Sequence, residues 1–165
     1  MKIRRFLLFF LIVSSVLVCI GCTLTPNDPK DFMDTCFRAE IDGLLGEVSF
    51  GAIVEHSHAE SRITYLRPDA LEGIVLCKSR DGVFIKSREQ MQEIDGEALD
   101  GLLSPLTVLL EREEPTRIQK TEEGTSLTQG SGGTLRLNKK GAPVAYESED
   151  LRFLTVWWEA EKAGS

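Results

Sequence analysis

The chain has 165 residues, 42% of them hydrophobic and 27% charged, with a formal net charge of −7. That length suits one domain with a real core. The acidic balance repels nucleic acid and anionic headgroups, which excludes DNA or RNA as a partner.

The first element is "FLLFFLIVSSVLVCIGC", Phe6 to Cys22, preceded by Lys2, Arg4 and Arg5. A buried amphipathic helix would be apolar along one stripe only. This run is apolar all round except at Ser14 and Ser15. At about sixteen residues it falls short of the roughly 20 that a comfortable membrane span needs. A basic start, a short apolar run and a small residue before the cut are the parts of an export signal. The ending Ile20-Gly21-Cys22 resembles the bacterial lipobox, with Cys19 where Leu is usual. That resemblance implies a signal peptide over residues 1–21, cleavage between Gly21 and Cys22, and a diacylglycerol on the Cys22 thiol. Further acylation, for instance by palmitate, would make the anchor durable, because one chain holds a protein weakly and two or three hold it firmly. Removing 21 residues leaves 144, and losing three positive charges moves the net charge from −7 to −10. Membrane contact then comes from the lipid and not from charge.

"TLTPNDPKD" in residues 22–31 reads as a flexible tether, and residues 32–160 as a single domain. In "CFRAEIDG" Phe37, Ala39 and Ile41 share one face, and in "EVSFGAIVE" Val48, Phe50, Ala52 and Val54 do so, which is the period of a half-buried strand. "SRITYLRP" is a third strand that stops at Pro68. "GIVLCKSRDGVFIKS" holds Asp81-Gly82 between two apolar runs and reads as a hairpin. Between Glu97 and Leu110 the apolar residues Ala98, Leu99, Leu102, Leu103, Leu106, Leu109 and Leu110 follow helical spacing. Ser104-Pro105 in the middle suits a cap and first helical position, so two short helices or one kinked helix are expected. The remainder alternates again in "TRIQKTE", "TSLTQ", "GTLRLNKKG", "APVAYES" and "LRFLTVWWE", with a turn at Lys139-Lys140-Gly141. Hairpin follows hairpin without a βαβ rhythm. The expected fold class is therefore α+β, a strongly curved antiparallel sheet packed on one or two short helices.

The segments "RITYLRPDALEGI" and "GGTLRLNKKGAPVAYES", with the Leu-rich helix between them, resemble the LolA/LolB-like lipoprotein-carrier superfamily over roughly Phe32 to Trp158. The first phrase leads to Pro68 with Leu71, Gly73 and Ile74 soon after; the second is a strand, a Gly turn, then Pro143 and another strand. The resemblance implies a half-barrel whose concave face is apolar and lidded by helices. Such a face can hold a lipid or another hydrophobic small molecule, since each buried methylene is worth about 0.8 kcal/mol. The candidate ligand-binding residues on that view are Leu99, Leu102, Leu103, Leu106, Phe50 and Trp157. The carriers' gating arginine has no counterpart at a single position here, so the resemblance carries fold and not activity.

Catalytic motifs are missing. No GxSxG or P-loop occurs, and "GSGGT" lacks the Lys and helix of a phosphate cradle. His56 and His58 in "EHSHAE" read as a polar hairpin turn, and Glu111, Glu113 and Glu114 as a solvated helix end. Trp157 and Trp158 should point to opposite faces of the last strand. Cys36 and Cys77 are either a disulfide, which export permits, or two buried thiols. The expected function is a non-enzymatic, lipid-anchored envelope protein without cofactor or metal, which binds a hydrophobic ligand. The alternative is a structural or assembly subunit holding an envelope protein partner. The location is the non-cytoplasmic face of a membrane, and with Thr23 after Cys22 the outer membrane of a two-membrane cell.

Overall fold

The computed structural model describes residues 35–87, 90–111 and 114–160. Among these residues eleven strands form one antiparallel sheet. The first six are β1 (Phe37–Leu45), β2 (Val48–His56), β3 (Glu60–Arg67), β4 (Ile74–Ser79), β5 (Gly82–Ser87) and β6 (Gln90–Ile94). A 3-10 turn at Gly96–Leu99 and helix α1 (Asp100–Leu110) follow. The chain then makes β7 (Arg117–Lys120), β8 (Gly124–Thr128), β9 (Thr134–Asn138), β10 (Pro143–Glu147) and β11 (Leu151–Ala160).

The sheet order is β6-β5-β4-β3-β2-β1-β11-β10-β9-β8-β7. The first six strands step outward from the centre as successive hairpins. The helix then carries the chain between the two free edges, and the last five strands step back until β11 pairs with β1. The sheet is open, because β6 and β7 remain its edges. It is also strongly curved. Flat, eleven strands about 4.8 Å apart would be roughly 48 Å wide, whereas an 11-residue helix is about 16 Å long. Yet Leu76 on β4 and Leu127 on β8 are both fully buried in one cluster with the helix leucines. A sheet that did not wrap around α1 would leave these residues in water.

Alternation placed the strands because one face of each is inside. The inner residues Phe37, Ala39 and Ile41 of β1 meet Phe50, Ala52 and Val54 of β2, then Ile63 and Tyr65 of β3. From β11 come Leu151 and Phe153, and from β8 to β10 Leu127, Leu135, Leu137 and Tyr146. Gly43 lies between Phe153 and Phe50 in this inner face. A Cβ there would run into the Arg152 carbonyl oxygen, so β1 and β11 can pair this closely only with glycine.

Three local expectations change. The helical segment is a 3-10 turn running into one helix, and Ser104-Pro105 lies inside it. Ser104 is not a cap. Pro105 has no N–H for the Gly101 carbonyl, and the Ser104 hydroxyl donates to that oxygen instead. The β4–β5 turn is Arg80-Asp81, with Ser79 paired to Gly82, so the hairpin stands one residue earlier than Asp81-Gly82 suggests. Strand β6 was not expected, because its sequence, Gln90–Ile94, shows no apolar alternation. The turn at Lys139-Lys140-Gly141 is as expected. The Asn138 side-chain oxygen accepts from the Lys140 and Ala142 amides, and Gly141 takes φ 82°. Cys36 and Cys77 are both free thiols, and Cys77 is buried.

Candidate functional site

The inner face is the candidate site, and α1 is its lid. Leu103, Leu106 and Leu109 of the helix point into the sheet with 5%, 0% and 0% of their surface exposed. Leu99, Leu102, Val108 and Leu110 are only partly buried against the same core. The helix thus fills the trough with one stripe and leaves apolar flanks at its mouth. It touches β3 and β11 on opposite sides of the sheet's midline.

Two polar contacts fix it. The Tyr65 hydroxyl donates to the Leu102 carbonyl at 2.5 Å, and the Lys78 ammonium reaches Glu111 at 3.4 Å just past the helix end. Burial pushes the Tyr65 phenol well above its usual range, because phenolate would lose its hydration there. The Thr155 hydroxyl, on the inner side of β11 opposite Ile41, is buried and has no hydrogen-bond partner among the described residues. It is one of a few polar atoms in a mainly aliphatic and aromatic surface.

At one rim, Phe37 stacks on Trp158 with ring centroids 4.1 Å apart and tilts against His56 at 5.5 Å. His56 Nδ1 and the buried Ser61 hydroxyl share a hydrogen bond of 2.7 Å. His56 ends β2, and His58 lies in the turn before β3. Among the described residues, no group of three or more metal-ligating side chains forms.

The sequence candidates are therefore divided. Phe50, Leu103 and Leu106 meet in the buried core, with Leu99 and Leu102 packed at its margin. Trp157 does not join them. The register slips at Val156, so Ile41 pairs with Thr155 but Glu40 pairs with Trp157 and Ala39 with Trp158. The bulge turns Trp157 to the outer face, where its indole N–H donates to the Glu40 carboxylate at 2.7 Å and the Arg38 guanidinium lies 5.7 Å from its ring centroid. Trp158 takes the inner position. Gly21 and Cys22 lie outside the described residues.

No family model matches the chain, and no curated protein matches it. Solved structures do. One is an uncharacterized conserved protein from Thermus thermophilus, 14% identical over 82% of this chain and 84% of that one, with a TM-score of 0.52. Another is a putative outer membrane lipoprotein-sorting protein domain from Vibrio parahaemolyticus, 7% identical over 79% and 87% of the two chains, at 0.41. A third is a LolA superfamily protein from Nitrosomonas europaea, 11% identical over 76% and 67%, at 0.35. The likeness to the Thermus protein is one of fold. Among the described residues, no helix is long and apolar enough to cross a membrane.

Sequence reasoning missed Tyr65 and Thr155 as polar groups of the site. The sequence marks Tyr65 only as a member of the strand "SRITYLRP". Only the tertiary placement of Leu102 shows what its hydroxyl does. Thr155 carries no signal at all, since threonine is ordinary in strands.

Proposed function

We propose that this chain is a lipid-anchored envelope protein, held to the membrane through Cys22, whose curved sheet binds an apolar ligand beneath α1. The observation that carries the reading is the leucine stripe inserted into the open trough, with apolar flanks left at the mouth. An acyl chain has the same surface chemistry as Leu103, Leu106 and Leu109, and it can take their place or lie beside them at a similar gain per methylene. The leader sequence supports the anchor, and its tether gives the domain freedom from the bilayer. The inner face offers packing and a few hydroxyls, those of Ser61, Tyr65, Tyr146 and Thr155, which suits binding and not chemistry. No catalytic step is assigned.

Two measurements test the two halves. Cys22→Ser in the full chain should abolish labelling by radioactive palmitate and leave the leader uncut, so that only the precursor size is seen. Palmitate labelling that persists, or a leader that is still removed, would end the anchoring half. Native mass spectrometry of the purified full chain, followed by lipid extraction, should find a co-purifying apolar molecule, and Leu106→Trp should reduce its occupancy. Unchanged occupancy in that variant would place the molecule elsewhere.

A further inference from the structure

The outer face carries a second depression that the inner-face reading leaves unused. One cross-strand row runs Arg136–Ala145–Leu154–Asp42–Gly51–Arg67, from β9 to β3. The neighbouring row brings Glu147, Arg152 and Leu44 together. Between the two rows lies a cleft of about 420 Å³, lined in part by Leu44, Ala145 and Leu154. That size falls within the range of small-molecule sites, about 300–1,000 Å³. The solvent face of an antiparallel sheet is normally polar, yet here Leu154 is 60% exposed beside a buried Ala145.

Charge separates this cleft from a bare apolar patch. Asp42 is paired with Arg67 at 2.5 Å, an arrangement that Gly51 permits because a Cβ there would sit 2.9 Å from both side chains. Arg136 and Arg152 form no ion pair among the described residues, although Glu147 stands opposite Arg152 in the register. The cleft therefore holds two unmatched cations against one unmatched carboxylate, in a chain of net charge −7. Only β10 separates the strands of the two arginines, and they sit two residues out of step along the sheet, so their Cα positions stand about 12 Å apart. Both side chains can converge over Ala145, and guanidinium forks suit a carboxylate or phosphate.

We propose that this cleft binds an amphiphilic anion. Its carboxylate or phosphate head sits between Arg136 and Arg152, and its aliphatic part lies along Leu154, Ala145 and Leu44. The site is on the opposite face of the sheet from the trough under α1 and does not depend on it.

The test is photolabelling of the full-length protein with diazirine-bearing octanoate, octyl phosphate and octanol, with adducts mapped by peptide mass spectrometry. Both anionic probes should label β10, β11 and the end of β1 saturably. Octanol should label them at least about tenfold less. Stronger labelling by octanoate would indicate a free acid as the natural source, and by octyl phosphate a phospholipid head; either agrees with the site. Arg136→Ala with Arg152→Ala should lower anionic labelling about tenfold or more, while the paired lysine variants keep part of it. Leu154→Glu tests the same seat without touching the arginines and should abolish labelling, because its charge meets the acyl chain. Equal labelling by octanol, undiminished labelling of either variant, or adducts confined to inner-face residues would overturn the proposal.

Discussion

Leu106→Ala is the most direct probe of the way the helix is held. Leu106 has no exposed surface and lies on the middle turn of α1, in the cluster that includes Phe50, Tyr65 and Phe153. Truncation removes three carbons, worth about 2.4 kcal/mol at roughly 0.8 kcal/mol per methylene. The curved sheet cannot close around a missing side chain without moving several paired strands, so a cavity term adds to this. The total should be about 3–4 kcal/mol, within the usual span for buried leucine. For a domain of this size that is a fall in Tm of roughly 10–15 °C. Urea and thermal unfolding followed by circular dichroism read both quantities. The variant should also regain part of its stability with an added medium-chain alkane, which fills the void that the truncation opens. A loss below about 1 kcal/mol, with an unchanged denaturant slope, would mean that α1 is not seated in the trough as described.

Tyr65→Phe should cost about 1 kcal/mol at neutral pH, since the Leu102 carbonyl still accepts within the helix. The variant should also flatten the alkaline limb of stability. Burial raises the folded-state phenol above its usual 10.0, so its contribution is complete below about pH 10 and declines as pH rises further, and denaturant titrations of both proteins across that limb show the difference. Trp158→Ala should cost about 3 kcal/mol or more by urea melts, because it strips the ring stacked on Phe37. Trp157→Phe, which loses an outer-face hydrogen bond to Glu40, should cost about 1 kcal/mol and leave ligand occupancy under α1 unchanged. Gly43→Ala should destabilise by about 1–3 kcal/mol in thermal melts, because its methyl meets the Arg152 carbonyl. Burial raises the Cys77 thiol, with Glu60 adding to the effect, so alkylation of Cys77 should lag behind Cys36 at neutral pH in mass-resolved labelling.

The inner face was legible because its residues had to be apolar and every second one had to point inward. That one requirement marks Phe37 to Val54 and Leu135 to Phe153 in the sequence, and the same requirement at helical spacing marks the stripe on α1. Strand β6 escaped because an edge strand has little to bury; Gln92 and Glu93 in it are exposed. The Ser104-Pro105 pair was misread for a chemical reason. A hydroxyl before proline can cap a new helix or cover the carbonyl that the proline leaves open. Sequence does not choose between them, whereas the Gly101 carbonyl in place does.

The two tryptophans show where local pattern stops working. Phe153 and Thr155 face inward, so strict alternation sends Trp157 inward as well. A single extra residue at Val156 reverses the parity and exchanges the roles of the two rings. Nothing in "FLTVWWE" marks that bulge. Two contacts across the ladder accompany it: Phe37 on β1 stacks on Trp158 at the inner rim, and the Glu40 carboxylate accepts from Trp157 on the outside. If this pairing selects the register, it should be reversible. Glu40→Leu together with Trp158→Thr removes both reasons for the slip. In that double variant, Trp157 should turn inward, blue-shifting its fluorescence relative to Trp157 in the Trp158→Thr single variant. A spectrum as red as the single variant's would show that the bulge is fixed by strand twist and owes nothing to these two side chains.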